Sequence, residues 1–233
     1  MKGYSVHAIT KKVAAPWIMR KHYAKRMPPI SYCYGLFKDN VICGICTFGC
    51  PPSHNLKSGI CGDIYKNIVF ELNRLCLEDN KKNEASFLIS QSLKKLKSPM
   101  IIVSFADMEH NHNGYIYQAT NFIYCGLSAK RTDWKVKGKE HLHSYTIADE
   151  FRGIKNRSKA MREKYGDNFY LKERSRKHRY VYFIGSKKQK KEMLKALNYP
   201  ILPYPKGELK KYDTSAVVPK HEYQPPQKGL FDK

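Results

Sequence analysis

In the stretch "SFADMEHNHNGYIYQATNFIYCG", Asp107, His110 and His112 bring one hard and two borderline ligands together just beyond an apolar run. Three such groups can hold a transition metal such as iron or zinc. A polar surface loop has the same residues and no chemistry, so spacing alone leaves both readings open. The position, at a strand end facing a helix start, is one where sites form. Cys43-x2-Cys46-x3-Cys50, with Cys61 beyond, offers the thiolates of a zinc site. Cys43 and Cys46 fall in a strand-like run, however, and strand residues an odd number apart point to opposite faces. Buried, small apolar thiols are the favoured reading. His22 and Tyr23, in "RKHYAKR", read either as part of a solvated basic helix face or as groups near chemistry, with the basic residues on phosphate. Lys81 and Lys82 precede a helix whose free N–H groups and dipole suit a phosphate or pyrophosphate.

The elements that must position these groups follow from periodicity. "YSVHAI" alternates as a strand, and Val13 to Tyr23 reads as a helix with Pro16 in its first turn. "ISYCYGLFKDNVICGICTFG" is a hairpin turning at Asp39-Asn40. Pro51 and Pro52 end it, and a Gly-containing loop runs to about Lys66. Asn67 to Glu78 is a strand whose imperfect alternation points to a bulge or to two buried faces. Asn83 to Leu96 has helical spacing, with Asn83 as N-cap. Met100 to Ala106 is a continuous apolar strand of the central, buried kind. A short helix over Gly114 to Asn121 and a strand over Phe122 to Ser128 complete the order β-α-β-β-β-α-β-α-β, a mixed α/β sheet with flanking helices. Further on, "IADEFRGIKNRSKAMREKYG" reads as a helix ended by Gly166, "HRYVYFIG" as a strand and "SKKQKKEMLKAL" as a basic helix.

The chain has 233 residues, enough for one good core, and 43 Lys or Arg against 20 Asp or Glu, a net charge of +23. Nucleic acid is the expected counter-charge, because each cation docked on a phosphate releases a counterion, and aromatics are interleaved with the charge. No apolar run approaches a membrane span or a signal-peptide core, so a cytoplasmic protein with no membrane partner is expected. Seven cysteines, an odd number, are expected as mostly free thiols. From Lys130 to Lys191 there are 20 Lys or Arg and 7 Asp or Glu, which is more than half of the net charge.

The element order, with a basic-flanked helix after the fourth strand, resembles the GNAT fold of acyl-CoA-dependent N-acyltransferases. "YQATNFIYCG" looks like that fold's closing element, with Tyr117 where a tyrosine commonly acts as general acid and Asn121 where a glycine is usual. The wording of "RKHYAKR", "FELNRL", "SFLISQSLKKL", "SFAD", "IYQATNFIYCG" and "KHRYVYFIG" is similar to the Mom family of phage DNA-modification proteins, over about residues 13 to 200.

That resemblance implies a phage enzyme, acting inside a bacterial host, that adds a carbamoylmethyl (acetamido-type) group to the exocyclic amine of adenine in double-stranded DNA and so shields it from restriction. It implies Asp107 and Tyr117 as the active-site acid/base pair, with His22 and Tyr23 lining the same cleft. Arg74, Lys81, Lys82, Ser86 and Ser90 would face acetyl-CoA or a related acyl donor. Iron is the implied metal, with His22, Asp107 and His110 as its expected ligands. The helix start "NKKNEASF" lacks the glycines with which a GNAT approaches pyrophosphate. Acyl transfer would also join nitrogen to a carbonyl carbon, not to a methylene. The competing readings are an ordinary N-acetyltransferase acting on RNA or protein, and a non-catalytic DNA-binding protein of this fold.

On this reading residues 1–200 form one GNAT-like domain, followed by a Pro-rich extended tail over 201–233. Residues 130–177 are a basic insertion between its last two strands that grips DNA. Arg131, Trp134, Arg152, Lys155, Arg157 and Arg162 are the expected contacts. The target amine lies in the paired face of a duplex, so adenine is expected to flip out, with Trp134, Tyr145, Phe151 or Tyr165 stacking on it or filling the gap.

Overall fold

The computed structural model describes residues 1–142, 144–207 and 215–223, apart from the side chains of His110 and Tyr145. Strands β1 (Tyr4–Ala8), β2 (Tyr32–Lys38), β3 (Val41–Gly49), β4 (Val69–Leu77), β5 (Met100–Asp107), β6 (Ile123–Leu127) and β9 (Lys177–Ile184) form one sheet in the order β1-β2-β3-β4-β5-β9-β6. All neighbours are antiparallel except β4 and β5. Helices α1 (Lys11–Pro16), α2 (His54–Cys61), α3 (Glu84–Lys95), α4 (Tyr115–Ala119) and α7 (Lys187–Lys195) flank it. The mixed sheet, the flanking helices and the insertion between the last two strands are those expected from the sequence. None of the described helices is long and apolar enough to cross a membrane.

Strand alternation divides the sheet into two faces. One face, with Leu36, Phe48, Leu72, Ile102 and Tyr180, packs under Leu88 and Ile89 of α3 and Ile116 and Tyr117 of α4. The other carries two smaller cores. Phe37, Ile42 and Ile45 pack against Ala14, Trp17 and Ile18. Val69, Ile101, Val103, Val181 and Phe183 pack against Ile60 of α2 and Met193 of α7. Helix α2 lies where the sequence suggested only a loop. Its Leu56 and Ile60 share a face at i,i+4, and it stops at Gly62, which turns at φ +84°.

Four local expectations change. Pro16 stands at the end of α1, not in its first turn, because Thr10 caps the helix. With no N–H to give the carbonyl four residues back, the chain widens into a π-helical turn over Trp17–Lys21. Asn83 does not cap α3; it turns at φ +70°, and the buried Glu84 carboxylate takes the Lys81 N–H at 2.8 Å and the Tyr4 hydroxyl at 2.8 Å. Cys43 and Cys46 do not face opposite ways. A bulge pairs Leu36 with Gly44 and Phe37 with Ile42, so Cys43 is the extra residue and lies on the Cys46 side. The expected helix over 147–166 is two, α5 (Ser144–Asp149) and α6 (Arg157–Tyr165), separated by a turn containing Gly153 at φ +90°.

The insertion is built on a hairpin, β7 (Arg131–Val136) with β8 (Phe169–Arg174), and has its own core of Val136, Ile147, Phe151, Met161 and Phe169. Past β9, residues 201–207 pass over β6 and α4. Leu202 N–H bonds the Tyr124 carbonyl, Tyr204 Oη the Phe122 carbonyl, and Tyr115 Oη the Gly207 carbonyl. Residues 215–223 dock too, with Val218 buried and Tyr223 stacked on His7 at 3.6 Å. The described parts of the tail are therefore seated on the domain; the remainder of 201–233 lies outside the described residues.

Candidate active site

The site begins where two strands part. Strands β4 and β5 pair in parallel from Val69–Ile101 to Glu71–Val103, and then each turns to its other neighbour. A bulge drives the parting: β3 Thr47 pairs with Arg74 and Phe48 with Leu72, leaving Asn73 extra. Asn73 is pinned there by Thr47 Oγ1 at 2.6 Å and by its own Nδ2 on the Pro29 carbonyl at 2.8 Å. Ser104 Oγ donates to the Leu72 carbonyl across the fork at 2.8 Å.

Glu71, Arg74, Asp107 and Lys177 gather at this fork, with Tyr23 from the segment after α1 and Tyr117 from α4. Asp107 ends β5 opposite Lys177, the first residue of β9. Its Oδ2 meets Lys177 Nζ at 2.8 Å, and its Oδ1 accepts Ser175 Oγ at 2.5 Å and Glu109 N–H at 3.1 Å. Burial works to raise the Asp107 pKa, but the hydrogen bonds from Lys177 and Ser175 outweigh it and hold the carboxyl below its ordinary value. Lys177 shifts the complementary way, with burial opposing and Asp107 winning.

Glu71 is the contrasting carboxylate. Burial pushes it up to about 7, and Arg74 and Lys177 only partly restrain it. Two carboxylates in one cleft are thus driven apart, the pattern that separates a base from a permanently ionised partner. Tyr117 is pushed up to about 12 by burial, so its hydroxyl keeps its proton at neutral pH. Tyr23 is also raised by burial. His22 stacks on Tyr23 with ring centroids 4.4 Å apart, and its Nδ1 accepts the Ala24 N–H at 3.1 Å. Arg74 donates to the carbonyls of Asn73 at 2.6 Å and Arg26 at 2.9 Å, and its Nε is buried with no partner among the described residues.

Of the residues expected from the sequence, the fold places Asp107, Tyr117, Tyr23 and Arg74 in this cluster, with His22 beside it. Glu71 and Lys177 were missed. A lone carboxylate inside "VFEL" was the available signal, since ionisable groups rarely enter an apolar strand without cause. Lys177 opens the quoted motif "KHRYVYFIG", but its role was not legible there, because only the return of β9 after the insertion sets it opposite Asp107.

The expected donor side is a separate place. Ser86 and Ser90 line a cleft of about 350 Å³ between α3 and α4, with Asn83, Lys94, Thr120 and Asn121. Lys82 is exposed beside it, whereas Lys81 Nζ is held by Asp79 at 2.8 Å. Arg74 belongs to the fork, not to this cleft.

A metal fares differently. No three His, Cys, Asp or Glu converge to hold one among the described residues. The Lys177 ammonium already stands on the Asp107 oxygen that would ligate, and His22 Nδ1 is taken by a backbone N–H. The His110 side chain lies outside the described residues. The described donors do not fit iron. The seven cysteines are free thiols, most of them buried, and burial raises those of Cys33, Cys61 and Cys76 to about 12.

In the insertion, Arg131, Lys155 and Arg157 are exposed. Arg152 is paired with Asp149 at 3.1 Å, and Arg162 lies over the Phe169 ring at 5.5 Å. Trp134 packs edge-on to Phe169 at 6.2 Å. Phe151, 5% exposed, is core and not a ring for stacking on a base. Tyr165 donates to Glu150 at 2.5 Å, with the Lys139 and Lys164 ammoniums over its ring. The Tyr145 side chain lies outside the described residues.

The entry to α4 decides where Tyr117 points. Gly114 turns at φ +74°, and a Cβ there would collide with the Tyr180 ring. Tyr180 in turn bonds the Asn113 carbonyl and accepts Gln118 Nε2 at 3.2 Å. Gly114→Ala is expected to destabilise the protein by about 2 kcal/mol or more, from strain and overpacking together. Equilibrium unfolding in urea checks this; an unchanged midpoint refutes it.

The family model of the Mom protein family matches residues 3–206. Methylcarbamoylase mom of Escherichia phage Mu is 27% identical over 222 residues, covering 88% of this chain and 86% of that protein. Solved structures that resemble the fold are acetyltransferases. The ribosomal-protein-S18-alanine N-acetyltransferase of Escherichia coli has a TM-score of 0.43 at 7% identity, covering 78% of this chain and 95% of that one. A GNAT-family acetyltransferase of Bacillus cereus has a TM-score of 0.39 at 11% identity, covering 77% and 96%. These superpositions are loose and add nothing to the site.

Proposed function

The chain belongs to the Mom protein family, and we propose that it is a phage DNA-modification enzyme that adds a carbamoylmethyl group to the exocyclic amine of adenine. The observation that carries the reading is the pairing of unlike carboxylates at the fork, Glu71 near neutrality and Asp107 ionised, with a protonated Tyr117 beside them. The net charge of +23 supports nucleic acid as substrate, and the name of the phage Mu relative, a methylcarbamoylase, supports the transferred group. The product would protect phage DNA from restriction within a bacterial host.

An exocyclic amine is a weak nucleophile, so its proton must leave as the new bond forms. Glu71 takes that proton; its pKa lies where a general base works best. Asp107, fixed as an ion by Lys177, accepts a hydrogen bond from the amine and orients it. The bond forms between the amine nitrogen and the methylene carbon. The leaving group departs from that carbon with the electron pair and receives the proton of Tyr117. Arg74, whose Nε is buried without a partner, donates to the carbonyl of the two-carbon unit. Adenine reaches this fork flipped out of the duplex, and residues 130–177 hold the flanking DNA.

The donor lies in the cleft between α3 and α4. It is a CoA-like compound whose two-carbon unit already carries the carboxamide and bears the leaving group on its methylene, since a plain acyl-CoA has its leaving group on the carbonyl carbon. The cleft's hydroxyl and amide lining from Ser86, Ser90 and Asn121 suits a polar chain, and Lys94 suits phosphate. The bound donor supplies the two-carbon unit and the leaving group. No step passes through a metal.

The test is mass spectrometry of nucleosides from cells expressing the protein. A carbamoylmethylated deoxyadenosine is the expected product. Unmodified DNA beside acetylated RNA or protein would make the chain an ordinary acetyltransferase, and no modification with tight DNA binding would leave a binding protein.

A further inference from the structure

The positive charges of this chain are unequally available. In the insertion several are neutralised at home. Lys139 and Lys164 share Glu150 at 3.6 and 3.0 Å, Arg152 meets Asp149 at 3.1 Å, Lys159 faces Glu163 at 3.9 Å, and Arg174 pairs with Asp133. Helix α7 is the opposite case. Lys187, Lys188, Lys190, Lys191 and Lys195 are all exposed, and among the described residues none of them meets a carboxylate.

The helix holds these lysines in a fixed array. Ser186 and Gln189 form a reciprocal capping box at its start, and Met193, 1% exposed, roots it in the core with Ile60 and Val181. Lys187, Lys191 and Lys195 recur at four-residue intervals and so form one row on the solvent side. Bringing like charges together on a short helix is unfavourable by a few tenths of a kcal/mol per pair, which an anionic partner would relieve.

That helix stands on the face of the sheet to which Asp107 and Lys177 belong, opposite the face packed by Tyr117 and α3. Lys177, Arg179, Val181 and Phe183 alternate along β9 and share a face, as do Val103, Phe105 and Asp107 along β5. Val181 and Phe183 pack with α7, while Lys177 and Asp107 form the site. From Lys177 to Val181 the strand advances about 13 Å. Between them the half-buried Arg179 lies over the Tyr199 ring at 3.8 Å and donates to the Cys125 carbonyl.

We propose that α7 is a second phosphate-gripping surface: duplex DNA whose adenine enters the fork lies with one backbone along the lysine row. This rests on DNA being the substrate, and it places a principal grip outside the insertion. The partner is nucleic acid because the row opens on the same face as the Asp107–Lys177 pair, where the target amine is oriented.

The experiment compares the full chain with a variant carrying Lys187→Ala, Lys188→Ala, Lys191→Ala and Lys195→Ala, keeping Lys190, which lies over the Tyr182 ring. Alanine is the best helix former, so α7 should persist, and an unchanged thermal midpoint verifies it. Duplex affinity is expected to fall at least tenfold, and the slope of log K against log salt to become shallower by about 3 to 4, since each phosphate contact contributes about 0.9. The same four positions changed to Arg should keep wild-type affinity. An Ala variant with wild-type affinity and slope overturns the proposal, as does a variant whose only loss is binding to phosphatidylserine vesicles. In either case modification of deoxyadenosine by the unaltered protein would leave the enzymatic reading standing; its absence would sink that reading independently.

Discussion

Glu71→Gln should lower adenine modification by about 10²–10⁴-fold, the range lost when a general base is removed. The amide has nearly the same shape and cannot take a proton, so the loss should fall on turnover and leave DNA affinity intact. The unaltered enzyme should show the matching pH limb: activity falls as pH drops below about 7, where Glu71 acquires its proton. Stability should move the other way. The folded pKa lies above the ordinary 4.5, so between those values the native state binds more protons than the unfolded chain. Stability contributed by this group therefore falls as pH rises from about 4.5 to about 7 and stays lost above. Glu71→Gln escapes that penalty and should be more stable than the parent by about 2 kcal/mol at about pH 8, with little difference at about pH 4. A variant that kept its activity, or lost it with an unfolded spectrum, would remove Glu71 from the mechanism.

Why Glu71 escaped notice in the sequence while Asp107 did not is a matter of range. Asp107 follows a continuous apolar run, and the end of such a strand is legible from neighbouring residues. So are α3, from its spacing, and the hairpin at Asp39 and Asn40, both of which turn with positive φ. Glu71 is pushed up by its burial beside the fork of β4 and β5, and that fork depends on a bulge at Asn73 and on which strands lie beside them. No window of local sequence contains that fact. The same bulge logic misled the reading of Cys43 and Cys46, where one extra residue in β3 cancelled the alternation on which the argument stood. The hairpin of the insertion shows a different failure. Trp134 and Val136 alternate, as do Phe169 and Leu171, but each run is short and the stretch between them is helix-like and strongly basic. Charge density was legible too; its neutralisation was not, because Asp133 and Arg174 meet only when β7 and β8 pair.

Separating Asp107 from Lys177 should have the second large effect, and the two partners are not equivalent. Asp107 is 8% exposed, and Lys177→Met strands its carboxylate with only Ser175 and the Glu109 N–H. A cost of about 1–3 kcal/mol is expected, less than for a fully buried pair because the lysine side chain is 36% exposed. Asp107→Asn instead frees an ammonium that can reach water, and should cost less. The double variant should recover part of the Lys177→Met loss, giving a coupling of about 1–2 kcal/mol in a double-mutant cycle. The sign of the pH dependence separates this pair from Glu71. Because the folded pKa of Asp107 is depressed below 3.8, its contribution is present above that value and is lost as pH falls through the folded pKa. The stability gap between the parent and Asp107→Asn should therefore be full at neutral pH and close as pH falls below 3.8 through the folded pKa. All three variants should modify adenine at most at about one hundredth of the parental rate. In Lys177→Met the surviving carboxylate is no longer held ionised, and two neighbouring carboxylates free to share a proton cannot divide the work of base and anchor. A Lys177→Met enzyme with parental activity would show that the ion pair merely braces the insertion where it leaves the sheet.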